Sequence, residues 1–258
     1  MRFFVSKRLS SWKKRLGIVR ASLTLRWSRL SAYLREATET DEICDILANE
    51  DPFEFVKQLG RIRGHSWVND EGFDFSRLNG HDFGYKTKQL PFEWSSESEV
   101  AHFIALLAWN LKPKNVIEVG SFVGFTSCHI ALALECIGDG TLYCVDEGAE
   151  YLNILSNNIE SLGLRNRIRA IHGSSLDPAV LDSLPKAEII FIDSSHHYET
   201  TKREIEEYSQ KIAKPGYLVL HDSVRYPGIR RAVAEHKGKK MTFATSQGCG
   251  VTVLPFEN

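Results

Sequence analysis

Two short stretches crowd carboxylates and imidazoles together behind apolar runs: Phe191-Ile-Asp-Ser-Ser-His-His-Tyr198 and Leu220-His-Asp-Ser223. Each follows a run rich in β-branched or other bulky apolar residues, as a buried strand would. If those runs lie side by side as parallel strands, Asp193 and Asp222 leave the same edge of a sheet. Two acids there can share a divalent cation or perturb each other's ionisation. Magnesium suits such a pair, because it binds through one or two carboxylates and keeps water that a substrate oxygen can replace. A histidine beside them, His196 or His197, can take a proton near neutral pH. The plainer alternatives are a helix cap for Asp222 and a surface loop for the histidines.

A second group has the character of a ligand cradle. In Lys114–Ser127, KNVIEVGSFVGFTS, a short β-branched run ends at Val119, Gly120 and Gly124 bracket a tight turn, and helical character follows. The glycines let the backbone pass close to a ligand, and Glu118 can accept hydrogen bonds from a polar cofactor. The spacing Gly-x-x-x-Gly is not the Gly-x-Gly-x-x-Gly of a dinucleotide site, and a carboxylate just ahead of the turn serves a cationic or zwitterionic ligand better than a pyrophosphate. Asp146 closes the next strand, where a carboxylate can bind ribose hydroxyls. Gly173, Ser174 and Ser175 follow the strand after that, offering backbone donors and hydroxyls to an adenine edge. Plain turn chemistry for the glycines and helix capping for Asp146 and the serines are the competing readings.

The elements that must position these residues are regular. Strand candidates Asn115–Val119, Thr141–Val145, Arg167–Ile171, Ala187–Ile192 and Tyr217–His221 alternate with helical segments near 125–136, 151–162, 178–184, 199–212 and 229–236. Met241–Ala244 and Cys249–Leu254 should close the sheet as an antiparallel hairpin. The fold expected is α/β: a Rossmann-like, doubly wound, mostly parallel seven-stranded sheet with an N-terminal helical extension. In such a sheet the ligand crevice lies at the carboxyl ends of the strands, which is where every residue named above falls. Ser96 and Glu99 have capping-box spacing for a helix running to Leu111 ahead of the first strand. Two domains are read, a catalytic one over 94–258 and an extension over 1–93. The extension holds short helices at Thr40–Asn49 and Pro52–Leu59 and a loop-rich region, Arg61–Phe92, that could cover a pocket.

The chain has 258 residues, 43% hydrophobic and 25% charged, which suits one full α/β core with an appendage. No run approaches the roughly 20 apolar residues that span a bilayer. Five cysteines, an odd number with no Cys-x-x-Cys pair, point to a reducing compartment and a cytoplasmic protein. The net charge of −1 conceals an asymmetry: every charged side chain from Arg2 to Arg35 is basic. Within that segment Trp12, Leu16, Val19, Leu23, Trp27, Leu30 and Leu34 form one apolar stripe of an amphipathic basic helix. It reads as a helix packed on the domain or on a second copy in a homo-oligomer, as a peripheral contact with anionic lipid through residues 9–35, or as a cleaved targeting peptide. No nucleic-acid partner is expected.

From about Trp94 onward the chain resembles the class I S-adenosylmethionine-dependent methyltransferases, nearest the bacterial macrocin-type sugar O-methyltransferases and more distantly the catechol O-methyltransferases. IEVGSFVGFTS is similar to their cofactor loop, YCVDE to the ribose-binding strand end, and AIHGSSLD to the adenine-side segment. FIDSSHHYE with KPGYLVLHDS is similar to the metal and base region. The resemblance implies that Glu118, Gly120, Ser121 and Gly124 hold the methionine portion, Asp146 the ribose, and Gly173 and Ser174 the neighbourhood of the base. It also implies that Asp193 and Asp222 hold a divalent cation, and that His196 is the catalytic base. His221 and Ser223 flank Asp222 where macrocin-type enzymes have an acid before it and catechol enzymes an asparagine after it. Water or Ser223 should then complete the cation's ligands in preference to an imidazole. The implied activity is methyl transfer to a hydroxyl oxygen of a small-molecule or glycan acceptor. The alternatives are metal-independent N-methylation or another use of the same cofactor, and a non-catalytic membrane-associated adaptor.

Overall fold

The computed structural model describes residues 41–44, 75–78, 81–84, 95–243, 245 and 247–257. All of these lie in one unit, Thr38–Asn258. The basic apolar stripe, the helix expected at Pro52–Leu59 and most of the loop-rich region lie outside the described residues.

In chain order the elements are β1 (Asp41–Cys44), α1 (Ser98–Leu111), β2 (Asn115–Val119), α2 (Phe125–Ile137), β3 (Thr141–Asp146), α3 (Ala149–Ser161) and β4 (Ile168–His172). Then come α4 (Pro178–Ser183), β5 (Ala187–Ile192), α5 (Tyr198–Lys211), β6 (Ile212–His221), α6 (Pro227–Glu235), β7 (Lys240–Phe243) and β8 (Val251–Phe256). One sheet collects the strands in the order β1-β7-β8-β6-β5-β2-β3-β4. The ladder is parallel except where β8 pairs with β6 and with β7. The seven strands expected are all present, and β1 adds an eighth at the edge, parallel to β7.

Central strands of a parallel sheet are covered on both faces, so they need near-continuous apolar runs rather than alternation. Asn-Val-Ile-Glu-Val of β2 and Ala-Glu-Ile-Ile-Phe-Ile of β5 have that character, and Ile117, Val116, Ile190 and Phe191 are fully buried. Burying each such side chain contributes about 1.5–3 kcal/mol. That holds the strand ends in register, Val119 opposite Ile192. The chain leaves β2 towards β3 and β4 on one side, then returns through β5 to β6 on the other. The switch point therefore falls between β2 and β5, where a ligand crevice forms.

Two local expectations are corrected. Asp41–Cys44 is strand, where a helix over Thr40–Asn49 was expected; four residues of ladder along β7 outweigh the weak helix propensity of so short a segment. The capping box at α1 does not form: Ser96 Oγ pairs with Thr126 Oγ1 (2.6 Å), and Glu97 is the N-cap without capping through its side chain. A stronger partner takes the Glu97 carboxylate. Of the cysteines, Cys128, Cys144 and Cys249 are buried and free, whereas Cys136 is exposed. Among the described residues no helix is long and apolar enough to cross a membrane.

Candidate active site

The turn after β2 is built from backbone. Gly120 has φ +86°, and its N–H donates to the Val145 carbonyl (2.9 Å). A Cβ at Gly120 would lie 2.2 Å from the Asp193 carbonyl oxygen, so only glycine lets this turn meet the loop after β5. Gly124, φ +89°, is the N-cap of α2. Asp146, at the end of β3, accepts the Phe122 N–H (2.7 Å) and the Gly148 N–H (2.8 Å), one on each oxygen, and so ties the turn to the next loop. Each oxygen keeps a second lone pair for a ribose hydroxyl. Ser121 Oγ is buried without a hydrogen-bond partner among the described residues. Gly173, Ser174 and Ser175 complete this end of the cavity.

Glu118 is 1% exposed and takes the Ser127 hydroxyl and, at 3.7 Å, the Cys144 thiol. Burial pushes its carboxyl up to about 8, against the Ser127 bond, so near neutral pH it is largely a neutral acid. Expected as an acceptor for the cofactor, it does line the cavity, but its hydrogen bonds run inward to α2 and β3.

The opposite end is built from side chains. His196 Nε2 lies 2.8 Å from Asp222 Oδ2, and its ring stacks on Tyr226 at 3.8 Å between centroids and 3° between planes. The His196 side chain remains 41% exposed, open to an incoming molecule. His197 is the N-cap of α5 instead. Asp222 has φ +58°, backbone strain of the kind held at functional sites. Burial raises its carboxyl, but the His196 bond and the His221 charge bring it below the ordinary value.

His221, a mere flank of Asp222 in the sequence, is central here. It is 5% exposed, with Nδ1 2.9 Å from Asp193 Oδ1 and Nε2 2.6 Å from Glu97 Oε2. Carboxylate oxygens only accept, so both ring nitrogens carry protons and the ring is a cation. Burial opposes that charge, and the Asp193 and Glu97 contacts overrule it, holding His221 well above its usual range. Burial likewise works against the ionised Glu97, yet the bonds to His221 and Thr245 bring its carboxyl down to about 2. Thr245 Oγ1 donates to Glu97 (2.7 Å) and accepts the Gly250 N–H (2.8 Å), which anchors the β7–β8 connection to the site. Neither Glu97 nor Thr245 was singled out in the sequence. An acid at a helix start has the pattern of a cap, and only the fold shows its partner 124 residues away.

Asp193, His196 and Asp222 each offer a ligand atom, all within 4.8 Å of one another. Among the described residues Asp222 Oδ1 is buried and makes no hydrogen bond, and the weakly donating Cys249 thiol acts on that carboxylate beside His196 and His221. Two carboxylates, one of them with an oxygen left over, and an imidazole make a donor set that fits a divalent cation. Ser223 does not join them, contrary to expectation. It is fully buried, and its hydroxyl accepts that of Thr252 (2.8 Å), which in turn pairs with Thr242.

Both ends belong to one cavity of about 870 Å³, bounded by Glu118–Phe122, Asp146, Gly173–Leu176, Asp193–His196 and His221–Asp222. The converging loops and the common rim expected of the strand ends are therefore realised.

Residues 117–223 match the family described as "Methyltransferase domain". A catechol O-methyltransferase of Niastella koreensis is 26% identical over 125 residues, 47% of this chain and 54% of that one. A caffeoyl-CoA O-methyltransferase of Stellaria longipes is 25% identical over 187 residues, 68% of this chain and 75% of that one. The chain spans about half the length of most of the curated relatives it matches. Among solved structures, the O-methyltransferase from Bacillus cereus in complex with SAH superposes with a TM-score of 0.60 at 18% identity, covering 78% of this chain and 97% of that one. The O-methyltransferase TomG from Streptomyces achromogenes, in complex with SAM, gives 0.59 at 16%, covering 81% and 100%. At such identities the structural likeness is one of fold. Residues 117–223 thus carry the sequence match to a methyltransferase domain, and the sheet with its cavity at the strand ends has the fold of the O-methyltransferase structures named above.

Proposed function

We propose that this chain transfers the methyl group of S-adenosylmethionine to a hydroxyl oxygen of a small-molecule or sugar acceptor, with His196 as the base. The observation that carries this reading is the His196–Asp222 pair, 2.8 Å apart, at the accessible end of the cavity that also contains the glycine turn and Asp146. Ionised Asp222 can only accept, so His196 Nε2 carries a proton and Nδ1 keeps its lone pair for the acceptor. The stacked Tyr226 holds the ring plane. The acceptor oxygen attacks the methyl carbon in line, the carbon–sulfur bond breaks with its electron pair on sulfur, and the hydroxyl proton passes to His196. Alignment in the cavity can supply about 7–11 kcal/mol of barrier lowering, and a base about 10²–10⁴-fold, so placing the reactants is the larger effect. That the relatives named above act on oxygen supports oxygen as the acceptor atom.

Asp193 and Asp222 would hold a divalent cation, with the His196 imidazole within reach of it. When bound, such an ion lowers the pKa of an acceptor hydroxyl, which a histidine alone does not ionise. One observation favours a second reading in which no ion is needed: His221 already donates to Asp193 and places a buried positive charge beside both acids. Calorimetry with S-adenosylhomocysteine tests the cofactor. Formation of S-adenosylhomocysteine is then followed with catechols, caffeoyl esters and sugars, before and after chelation. Loss of turnover on stripping divalent ions, restored by adding them, supports the cation; unchanged turnover supports the second reading. No binding of S-adenosylhomocysteine would overturn both.

A further inference from the structure

The inward face of α5 presents three polar groups, Thr201, Glu204 and Tyr208, at steps of three and four residues, so they share one side of the helix. All three are buried, and each reaches a loop that leaves a strand. Thr201 Oγ1 donates to the Ser195 carbonyl (3.0 Å), and the Tyr208 hydroxyl donates to the Ser175 carbonyl (3.0 Å). Between them, Glu204 Oε1 accepts two hydroxyls, from Ser175 and from Ser194, each at 2.6 Å.

Glu204 is wholly buried, and its second oxygen, Oε2, has no hydrogen-bond partner among the described residues. A desolvated oxygen of this kind is destabilising, whereas an apolar side chain would fill the same contact without that penalty. Burial raises the carboxyl above its ordinary value even with both serine bonds opposing. Stability therefore does not account for an acid here. What the acid does is bring two loops onto one atom: Ser175 belongs to the loop after β4, at the base end of the cavity, and Ser194 follows Asp193 directly. Both serines and Glu204 line the cavity.

We propose that Glu204 is a positioning residue: by holding the loops after β4 and β5 at one separation, it shapes the end of the cavity that receives an adenosyl group. Affinity for adenosine-containing ligands then depends on it. The inference rests on the cofactor reading above, and the test separates the two. S-adenosylhomocysteine and adenosine are titrated by calorimetry into the full-length wild-type protein, Glu204→Gln, Glu204→Ala and the double variant Ser175→Ala/Ser194→Ala. The glutamine amide oxygen still accepts both hydroxyls, so Glu204→Gln should stay within about threefold of wild type. Glu204→Ala and the double serine variant should lose about tenfold or more, by the same factor for both ligands, because the disturbed contact lies at the end they share. The double variant leaves the buried Glu204 carboxyl without either hydroxyl and should melt below wild type, so affinities are compared at a temperature at which every variant is folded, which separates loop placement from general stability. Wild-type affinity in folded Glu204→Ala or in the double variant would overturn the proposal, as would a loss confined to S-adenosylhomocysteine. Should Glu204→Ala not fold, the double variant decides. A wild-type protein that binds neither ligand would sink the cofactor reading and this inference with it; binding by wild type with unchanged variants would sink the inference alone.

Discussion

The two ends of the cavity are made in different ways. The cofactor end is a backbone device, in which glycines with positive φ at 120 and 124, N–H groups and one strand-end acid, Asp146, follow closely on their own strands. The end proposed for the acceptor is a side-chain device. His196 and Asp222 come from different loops, and behind them His221 bridges Asp193 to Glu97, which lies at the head of α1 and outside the span of the family match. Backbone cradles depend on a few conformations and tolerate exchange of neighbouring side chains. Charge networks depend on every member, because removing one leaves another buried and unpaired. Variation at the acceptor end should therefore alter chemistry with the cofactor still bound, and variation at the turn should do the reverse.

The largest effect expected is from His196→Ala, which should lower turnover by about 10²–10⁴-fold while leaving affinity for S-adenosylhomocysteine within about twofold. Parallel losses in both would erase the division between the two ends. Next comes Glu97→Ala, which leaves His221 buried with part of its charge unanswered. Breaking a buried pair from one side costs roughly 3–5 kcal/mol, read as a fall in denaturant midpoint. The same pair sets an acid limit. The Glu97 carboxyl sits at about 2 in the folded protein against 4.5 unfolded, so its contribution is present above pH 4.5 and is lost as pH falls towards 2. Glu97→Gln should flatten that part of the acid melting curve.

Gly120→Ala addresses the seam between the ends. A left-handed backbone at alanine costs roughly 1–2 kcal/mol before the collision with the Asp193 carbonyl is counted, so binding of S-adenosylhomocysteine and melting temperature should both fall. Gly124→Ala should be milder, because what its Cβ meets is the flexible side chain of Leu155 at 3.0 Å. The last test concerns Glu118 and is read as a trend with pH. Folded protein keeps a proton there, up to about pH 8, that the unfolded chain releases near 4.5, so this residue makes stability decline as pH rises across that window. The melting temperature of Glu118→Gln minus that of wild type should accordingly increase between pH 5 and 8; a difference independent of pH would show that the acid is ionised in the fold.

Much of this arrangement was legible along the chain because it is encoded locally. β2 and β5 announce themselves as continuous apolar runs. The glycine turn sits immediately behind β2, Asp146 ends β3, and Asp193 and Asp222 directly follow β5 and β6, so placing the strands places the acids on one rim. Local encoding also explains the misreadings. Ser96 and Glu99 have capping spacing, but a capping hydrogen bond is weak beside the ion pair that engages Glu97. Ser223, offered with water as a further ligand because it flanks Asp222, lies past the end of β6 with its hydroxyl accepting that of Thr252, a residue of β8 that only the fold brings near.

By itself, then, the sequence determined the order of strands and helices, the turn that only glycine permits, and the set of acids and the histidine at the strand ends, since each is a matter of backbone preference over a few residues. Only the tertiary structure decided that His221 is a buried cation and not a bystander, that Glu97, 124 residues away, pairs with it and is itself held by Thr245, 148 residues from Glu97, and that Glu204 joins two loops. The reason is physical. A side chain's charge state and partner depend on what the fold removes from water around it, and that is a property of places in space that no neighbouring residue records.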